Sequence, residues 1–493
     1  MKKIVLFLTA LTCALATSAQ TMNIRQGNVT YAIPAAQAGE MTYTDGTTLT
    51  VGSRSYNIAD ITMIELNDDP VADNTVSVIY GATSAEVVIA GNIAPYIEAK
   101  VNGAHVTLLA ADALAEEVTY TLSGSSDNGS LYMDGSYKAT FVLNGLNLTN
   151  PDSAAVNIQC GKRIKVELAE GTENSLADGL TGTDDDSDGH KAAFYIDGHS
   201  EWTGNGTLTV TGNVKHAISA DEYMELGKKT GTLVVTASNG DGLHVDEYFE
   251  MKGGDVSINA AGDGIDVGLK YSSTDEQNGQ LIVKGGSLNV VTTGDAARAM
   301  KCEGDMIISG GTITAQTSGS AIYEASENDL SSCAAAKPEG AFTMTDGTVS
   351  FTSTGDGGKG INATGAVTVS GGELTVCTTG DTFEYNTELD SKPHGIKSDA
   401  DIVLEGGKVL SCASADGGNA FKTDAYVLMN GATVMGIAGK KTTPSSTSTC
   451  KFANYKDVNV SGGQTVSYDG VSFTVPDIYS NDSAKIVVSS PTM

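Results

Sequence analysis

One feature narrows the possible folds of this chain more than any other. A Gly-Gly or Asx-Gly pair, followed by a strand of alternating apolar residues, returns at a near-constant interval. It stands at Gly253-Gly254-Asp255-Val256-Ser257-Ile258, Gly285-Gly286-Ser287-Leu288-Asn289-Val290 and Gly310-Gly311-Thr312-Ile313. It continues at Asp346-Gly347, Gly371-Gly372, Gly406-Gly407 and Asn430-Gly431, with earlier copies at Gly206 and Gly231. The steps between successive second glycines are 25, 23, 32, 25, 36, 25, 35 and 24, so the base unit is about 24 residues and three units carry insertions. Apolar residues alternate before each pair (Phe249 and Met251, Leu281 and Val283, Met306 and Ile308) and again after it. Period-two alternation means strands with one buried face. A third apolar position closes each unit: Ile218, Leu243, Ile265, Met300, Ile322, Ile361, Ile396 and Phe421. Three short strands per unit, with glycine at corners that demand positive φ, predict an all-β chain. The arithmetic is that of a right-handed parallel β-helix, a solenoid of about 24 residues per coil, with small β elements at both ends.

Composition limits what such a chain can bind. Asp and Glu total 60 against 29 Lys and Arg, a formal charge of −31. That excess argues against nucleic acid and anionic lipid as partners, because phosphate binding needs a basic face. It suits cation binding or a solvated outer surface. The first residues, Met1-Lys2-Lys3, an apolar run from Ile4 to Ala16 and Thr17-Ser18-Ala19, have the three-part pattern of a signal peptide over 1–19, so export to the periplasm, cell surface or medium is expected. No later run is long enough to span a membrane. Beyond the apolar run, six cysteines follow: Cys160, Cys302, Cys333, Cys377, Cys412 and Cys450. Cys377 and Cys412 share one offset in successive units, with parity that points them outward, and are expected to form a disulfide. The expected organisation is a small N-terminal β module over 20–69, the solenoid over 70–440 with its clearest repeats at 118–440, and a C-terminal β cap over 441–493.

Three groups of residues carry candidate chemistry. Nine residues after the second glycine a carboxylate recurs, at Asp263, Asp295, Asp356, Asp381 and Asp416, with Asp241 displaced by one and Ser320 breaking the series. Stacked at strand spacing, these carboxylates would repel and call for a counter-charge; Ca²⁺ takes oxygen ligands of this kind. Asp246 and Asp266 lie close by. The acidic insertion holding Asp184, Asp186, Asp188 and Gly189 has the D-x-D-x-D-G spacing that wraps oxygens around one calcium, without the twelfth-position Glu of an EF-hand. The turn preference of Asp and simple solvation of a charge run are the structural alternatives. The third group is the pentad Asp221-Glu222-Tyr223-Met224-Glu225, repeated as Asp246-Glu247-Tyr248-Phe249-Glu250. Parity sets Tyr223, Glu225, Tyr248 and Glu250 outward, with Trp202 one unit earlier. Exposed rings beside carboxylates hold sugars by stacking and by accepting hydroxyl hydrogens; packing along an edge is the competing reading. Nucleophilic motifs of the G-x-S-x-G type are absent. A lyase would need a cationic base beside the metal, and Arg298 is the candidate.

Three stretches carry a family likeness: Phe141-Val142-Leu143-Asn144-Gly145-Leu146-Asn147-Leu148, the segment Val166–Gly179 around Asn174, and the repeated Gly-Asp-Gly-Ile and Gly-Gly-Thr-Ile units. With the acidic insertion they resemble the bacterial calcium-binding parallel β-helix family of carbohydrate-binding domains, over roughly 118–440. The resemblance implies a pectate-lyase-like fold, non-catalytic binding of cellulose-like or pectin-like glycans, and Asp241 and Asp263 as calcium ligands. The expectation is therefore an exported, calcium-stabilised protein that binds acidic or cellulose-like polysaccharide without cleaving it. A calcium-dependent pectate-type lyase and a structural or adhesive surface rod are the alternatives.

Overall fold

The computed structural model describes residues 20–179 and 191–493. The segment read as a signal peptide and the insertion with Asp184, Asp186 and Asp188 lie outside the described residues. Apart from two one-turn helical segments, Ala35–Ala38 and Ile58–Asp60, the described elements are strands. They gather into a 27-stranded sheet, a 13-stranded sheet and four small sheets of two or three strands. The 13-stranded sheet takes the third strand of each unit, such as His216–Ala220, Leu243–Val245, Ile265–Val267 and Arg298–Cys302. Strand residues at equal offsets pair in parallel: Val256 lies opposite Leu288, and Ile265 opposite Met300. The inward positions are buried as the alternation demands, with Phe249, Met251, Val256, Ile258 and Ile265 fully enclosed.

The chain is all-β, but the right-handed parallel β-helix solenoid expected from the period is not the architecture that forms. The strands on the two sides of the glycine corner belong to one hydrogen-bonded sheet, and their pairings close on themselves. From Ala139–Asn150 the circuit runs through Ile164–Leu168, Ser200–Thr203, Met224–Leu226, Phe249–Met251 and Leu281–Val283 to Met306–Thr317. It returns through Ser287–Thr292, Asp255–Ala260, Thr232–Ala237, Thr207–Gly212 and Glu173–Asp178. This is a closed parallel barrel of twelve strands. Closure depends on the two long strands, which pass through their corners and pair on both sides. Gly145 and Gly311, at φ of 75° and 88°, supply the positive-φ corners. A count of glycines and short strands cannot tell a corner that ends a strand from one the strand runs through.

The terminal strands pack onto the same body. The strand Val29–Pro34, within the stretch read as an N-terminal module, pairs in parallel with Ala85–Ala90, and one apolar core extends from Met22 to Val487. At the far end, Ser480–Ser489 runs antiparallel to Thr433–Ala438 and closes a second cluster around Cys377, Leu410, Cys412, Val460 and Tyr479. This layer corrects the reading of the two cysteines. Cys377 and Cys412 do stand opposite one another across adjacent strands, but they are buried, and both are free thiols rather than a disulfide. Parity placed them off the main core. It could not show that a second layer would cover them.

Candidate functional site

The third strands of successive units share one polar column. Two residues before the closing apolar position stand His216, Asp241, Asp263, Arg298, Lys359, His394 and Asn419. The pairings Arg298–Ala334, Ala334–Lys359, Lys359–His394 and His394–Asn419 confirm the alignment. Each acceptor in the column takes a backbone N–H from the next unit. His216 Nδ1 accepts from Asp241 (3.0 Å), Asp241 Oδ1 from Asp263 (2.8 Å), Asp263 Oδ1 from Arg298 (2.6 Å) and His394 Nδ1 from Asn419 (3.2 Å). These bonds satisfy donors that the corners would otherwise leave without partners. Asp295 belongs to a parallel ladder, in which Asp295 accepts from Ser320, Ser320 Oγ from Asp356, and Asp356 from Asp381. The single carboxylate column expected from glycine spacing is thus two ladders. Ser320, which interrupts the acidic series, carries the second one forward through its hydroxyl.

Around Asp241 the column becomes a charge network. Asp241 Oδ2 lies 3.1 Å from His216 Nδ1 and 3.2 Å from His244 Nδ1, and the two imidazoles stack with centroids 4.4 Å apart. Asp266 lies 3.5 Å from His244 and 3.0 Å from Lys301. Burial alone would raise Asp241, but the His216 and His244 imidazoles set against it outweigh burial and hold the carboxyl well below its usual range. Burial would lower His244, yet Asp241 and Asp266 hold it up at about 10. Asp263 is pushed up to about 6, chiefly by burial. Donor atoms of His216, Asp241 and His244 all lie within 4.8 Å of one another, so this trio could hold a small cation. Its nitrogen-rich set, with His244 and Lys301 already offsetting the acids, does not fit the all-oxygen shell of calcium. Sequence reasoning missed His216, His244 and Lys301. Alignment on the closing apolar residue, instead of on the glycine, would have put His216 in the same column as Asp241.

The expected sugar-binding residues come together only in part. Tyr223 and Tyr248 do stack, with centroids 4.7 Å apart, and His199 extends the stack on Tyr223. Their faces are therefore largely occupied by each other. Tyr248 and Glu250 are buried instead of outward-facing. Glu250 is gripped by Lys252 (2.8 Å) and by Lys284, while Glu225 pairs with Lys252 at 2.7 Å. The insertion between Val267 and Leu281 packs over this row, with Ser273 bonded to Glu247 and Lys270 to Glu222. Trp202 is a core residue, edge-on to Phe194 at 5.7 Å, with its N–H donated to Ser200. Arg298 donates its guanidinium to Ser331 (2.5 Å).

Beside the row Lys165–Glu201–Glu225 lies an open cleft of about 580 Å³, lined by Lys165, Glu167, Thr203, Gly204, Asn205, Lys228, Lys229 and Thr230. Lys165 pairs with Glu167 at 3.2 Å. Among the described residues, Lys228 and Lys229 make no ion pair. Apart from Gly204 the lining residues carry polar groups at the ends of partly apolar side chains, which suits hydroxyls and an anionic group.

Comparison with known proteins places these features. Residues 110–382 match the family described as carbohydrate-binding domain-containing protein. An Acetivibrio thermocellus protein named as a carbohydrate-binding domain-containing protein is 31% identical over 135 residues, which is 26% of this chain and 47% of that protein. The chain thus spans about half the length of the curated relative it matches. A solved structure of a polysaccharide lyase-like protein from C. thermocellum, a gadolinium derivative, superposes with a TM-score of 0.44 at 21% identity, covering 55% of this chain and 96% of the other. Since the family match spans more than half of its 493 residues, this chain belongs to the carbohydrate-binding domain-containing protein family.

Proposed function

We propose that the protein binds an acidic polysaccharide in the polar cleft between Thr203-Gly204-Asn205 and Lys228-Lys229-Thr230, without cleaving the chain. The observation that carries this is the pairing of two lysines lacking ion-pair partners among the described residues with hydrogen-bonding groups in one open cleft, in a molecule whose net charge is −31. Unpaired cations on so acidic a surface favour an anionic sugar, whose carboxylate they can reach while Thr and Asn side chains serve the hydroxyls. The cleft lies within the family-matched segment. Arg298 is tied to Ser331, so nothing in its geometry favours a lyase base. Export and calcium stabilisation belong to the same proposal and rest on the sequence. Calcium is proposed for the acidic insertion and for the exposed carboxylates of the Asp295–Asp356–Asp381 ladder, not for the His216–Asp241–His244 trio. Isothermal titration of the protein with polygalacturonate, neutral cellulose oligosaccharides and a Lys228→Ala/Lys229→Ala variant tests the reading. Binding of the acidic glycan that the double variant loses is expected. Equal affinity in the variant would refute the assignment.

A further inference from the structure

Away from the cleft, the two longest insertions form hairpins that meet over one buried amine. Ile322–Glu324 pairs with Asp329–Ser331, and Phe383–Glu384 pairs with Asp390–Ser391. Tyr323 of the first stacks on Tyr385 of the second, with centroids 4.0 Å apart. Between them in sequence, and under them in space, Lys359 is 5% exposed. Its Nζ reaches the carbonyl of Gly357 (2.7 Å), Ser332 Oγ (3.0 Å) and Ser391 Oγ. None of these is an anion, and no described carboxylate forms an ion pair with it. A buried ammonium without a counter-charge is costly.

We propose that Ser332 and Lys359 form a nucleophile–base pair that hydrolyses acyl esters. The hydrogen bonds around Lys359 admit these roles. Ser391 Oγ accepts from Lys359 and lies 2.8 Å from Ser332 Oγ and 2.9 Å from Gly357 O, and its single hydroxyl proton serves one of the two. With the Ser391 proton donated to Ser332 Oγ, a neutral Lys359 that spends its two N–H bonds on Gly357 O and Ser391 turns its lone pair to the Ser332 hydroxyl, 3.0 Å away. Ser332 is partly exposed while Ser391 and Lys359 are buried, so Ser332 is the member a substrate can reach. Burial, with repulsion from Lys397, lowers Lys359 from the ordinary ammonium range to about 7, while Cys333 and Asp390 pull the other way. His394, the next member of the column, is itself held down to about 3 by burial and by Lys359, Lys397, Lys422 and Lys392, so it adds no positive charge near neutrality. Gly357, at φ of 72°, is required here, since a Cβ would meet Phe383 and Ser391 at 2.9 Å. One further donor is at hand: Arg298 bonds Ser331, next to the nucleophile, and among the described residues its buried Nε–H has no hydrogen-bond partner.

The chemistry balances with water as the only co-reactant. Ser332 Oγ adds to the ester carbonyl as its proton passes to Lys359 Nζ. Collapse breaks the acyl–oxygen bond, and the departing alcohol takes the proton from Lys359. Water then attacks the acyl-serine, giving one proton to Lys359, which returns it to Ser332 as the acid leaves. Ester substituents on a polysaccharide are a substrate class that this protein would meet if the proposed binding holds. The pair itself does not depend on that binding.

The test treats the full chain with a fluorophosphonate probe, maps the labelled peptide by mass spectrometry and follows p-nitrophenyl acetate hydrolysis. One phosphonyl group on Ser332 is expected, absent in Ser332→Ala and formed about 100-fold more slowly in Lys359→Met. Ester hydrolysis should rise with pH about a midpoint near 7. Lys359→Arg, which keeps bulk and charge but offers no base, should be as slow as Lys359→Met, and serves if the latter fails to fold. An unlabelled Ser332 in the native protein, or equal labelling in a folded Lys359 variant, would overturn the proposal.

Discussion

Replacing His244 with Gln removes the one imidazole that bridges Asp241 and Asp266, and the consequence should depend on pH in a definite direction. His244 is held at about 10 in the folded chain against an ordinary 6.5. A raised cationic group contributes its stabilisation fully below the unfolded value, pH 6.5, and loses it as pH rises toward 10. The shift corresponds to about 5 kcal/mol as a ceiling, and on the order of 3–5 kcal/mol once the coupling to Asp241 is counted only once. At pH 9, one unit below the folded value, about 1.4 kcal/mol should remain. Asp241 and Asp266, both lowered, are fully ionised in folded and unfolded states above pH 6.5 and add no slope there. Lys359, lowered to about 7, contributes the opposite slope between 7 and 10.5, because its burial penalty fades as pH rises. A global melting curve would mix the two. Hydrogen exchange of the peptide over 241–266, which holds the Asp263 N–H bonded to Asp241, isolates the local term. At pH 6 the variant should exchange about 100- to 5,000-fold faster than the native chain after correction for intrinsic rates, and at pH 9 about tenfold faster. A difference that is the same at both pH values would refute the reasoning.

Other substitutions probe the frame. Asn174 Oδ1 accepts from both Gly145 and Leu146, and its amide donates to Thr172 and Thr207, so Asn174→Ala should cost about 2–4 kcal/mol and lower the melting temperature. Gly204→Ala should be far worse than Gly145→Ala by the same assay: both have positive φ, but a Cβ at Gly204 would lie 2.1 Å from Leu168 O, while at Gly145 none of the described residues lies within 4 Å. Gly145→Ala should therefore cost only about 1–2 kcal/mol, the backbone term. The thiol of Cys377 is pushed by burial up to about 12, and Cys412 is buried beside it, so iodoacetamide at pH 8 should modify both only after denaturation. Chelation should lower the melting temperature if calcium holds the exposed carboxylates, and an unchanged melting curve would count against calcium.

The parts of this molecule legible in its sequence are those governed by local rules. Alternation identified which side chains turn inward, and Phe249, Met251, Leu288 and Val290 are all buried. Parity likewise put Cys377 opposite Cys412. What the pattern could not carry was anything supplied by distant chain. Glu250 occupies an outward position on its strand, yet the Lys252 and Lys284 side chains hold it in a buried site, and Tyr248 beside the strand is buried against Tyr223. Cys377 and Cys412 lie beneath strands that begin some forty residues later. Continuity of Ala139–Asn150 and Met306–Thr317 through their glycine corners is a property of hydrogen-bond register, so the closed barrel was not visible in the spacing. The polar column was present in the sequence, two residues before each closing apolar residue. Its mixed chemistry hid it from a search for repeated carboxylates.

The claim that acidic polysaccharide occupies the Lys228–Lys229 cleft is tested most directly by hydrogen-exchange footprinting with and without a galacturonate oligosaccharide. Protection should appear in peptides covering 165–167, 203–205 and 228–230, which line the cleft. It should vanish in the Lys228→Ala/Lys229→Ala variant. Protection confined to another face, or bound oligosaccharide with no change in these three segments, would contradict the account.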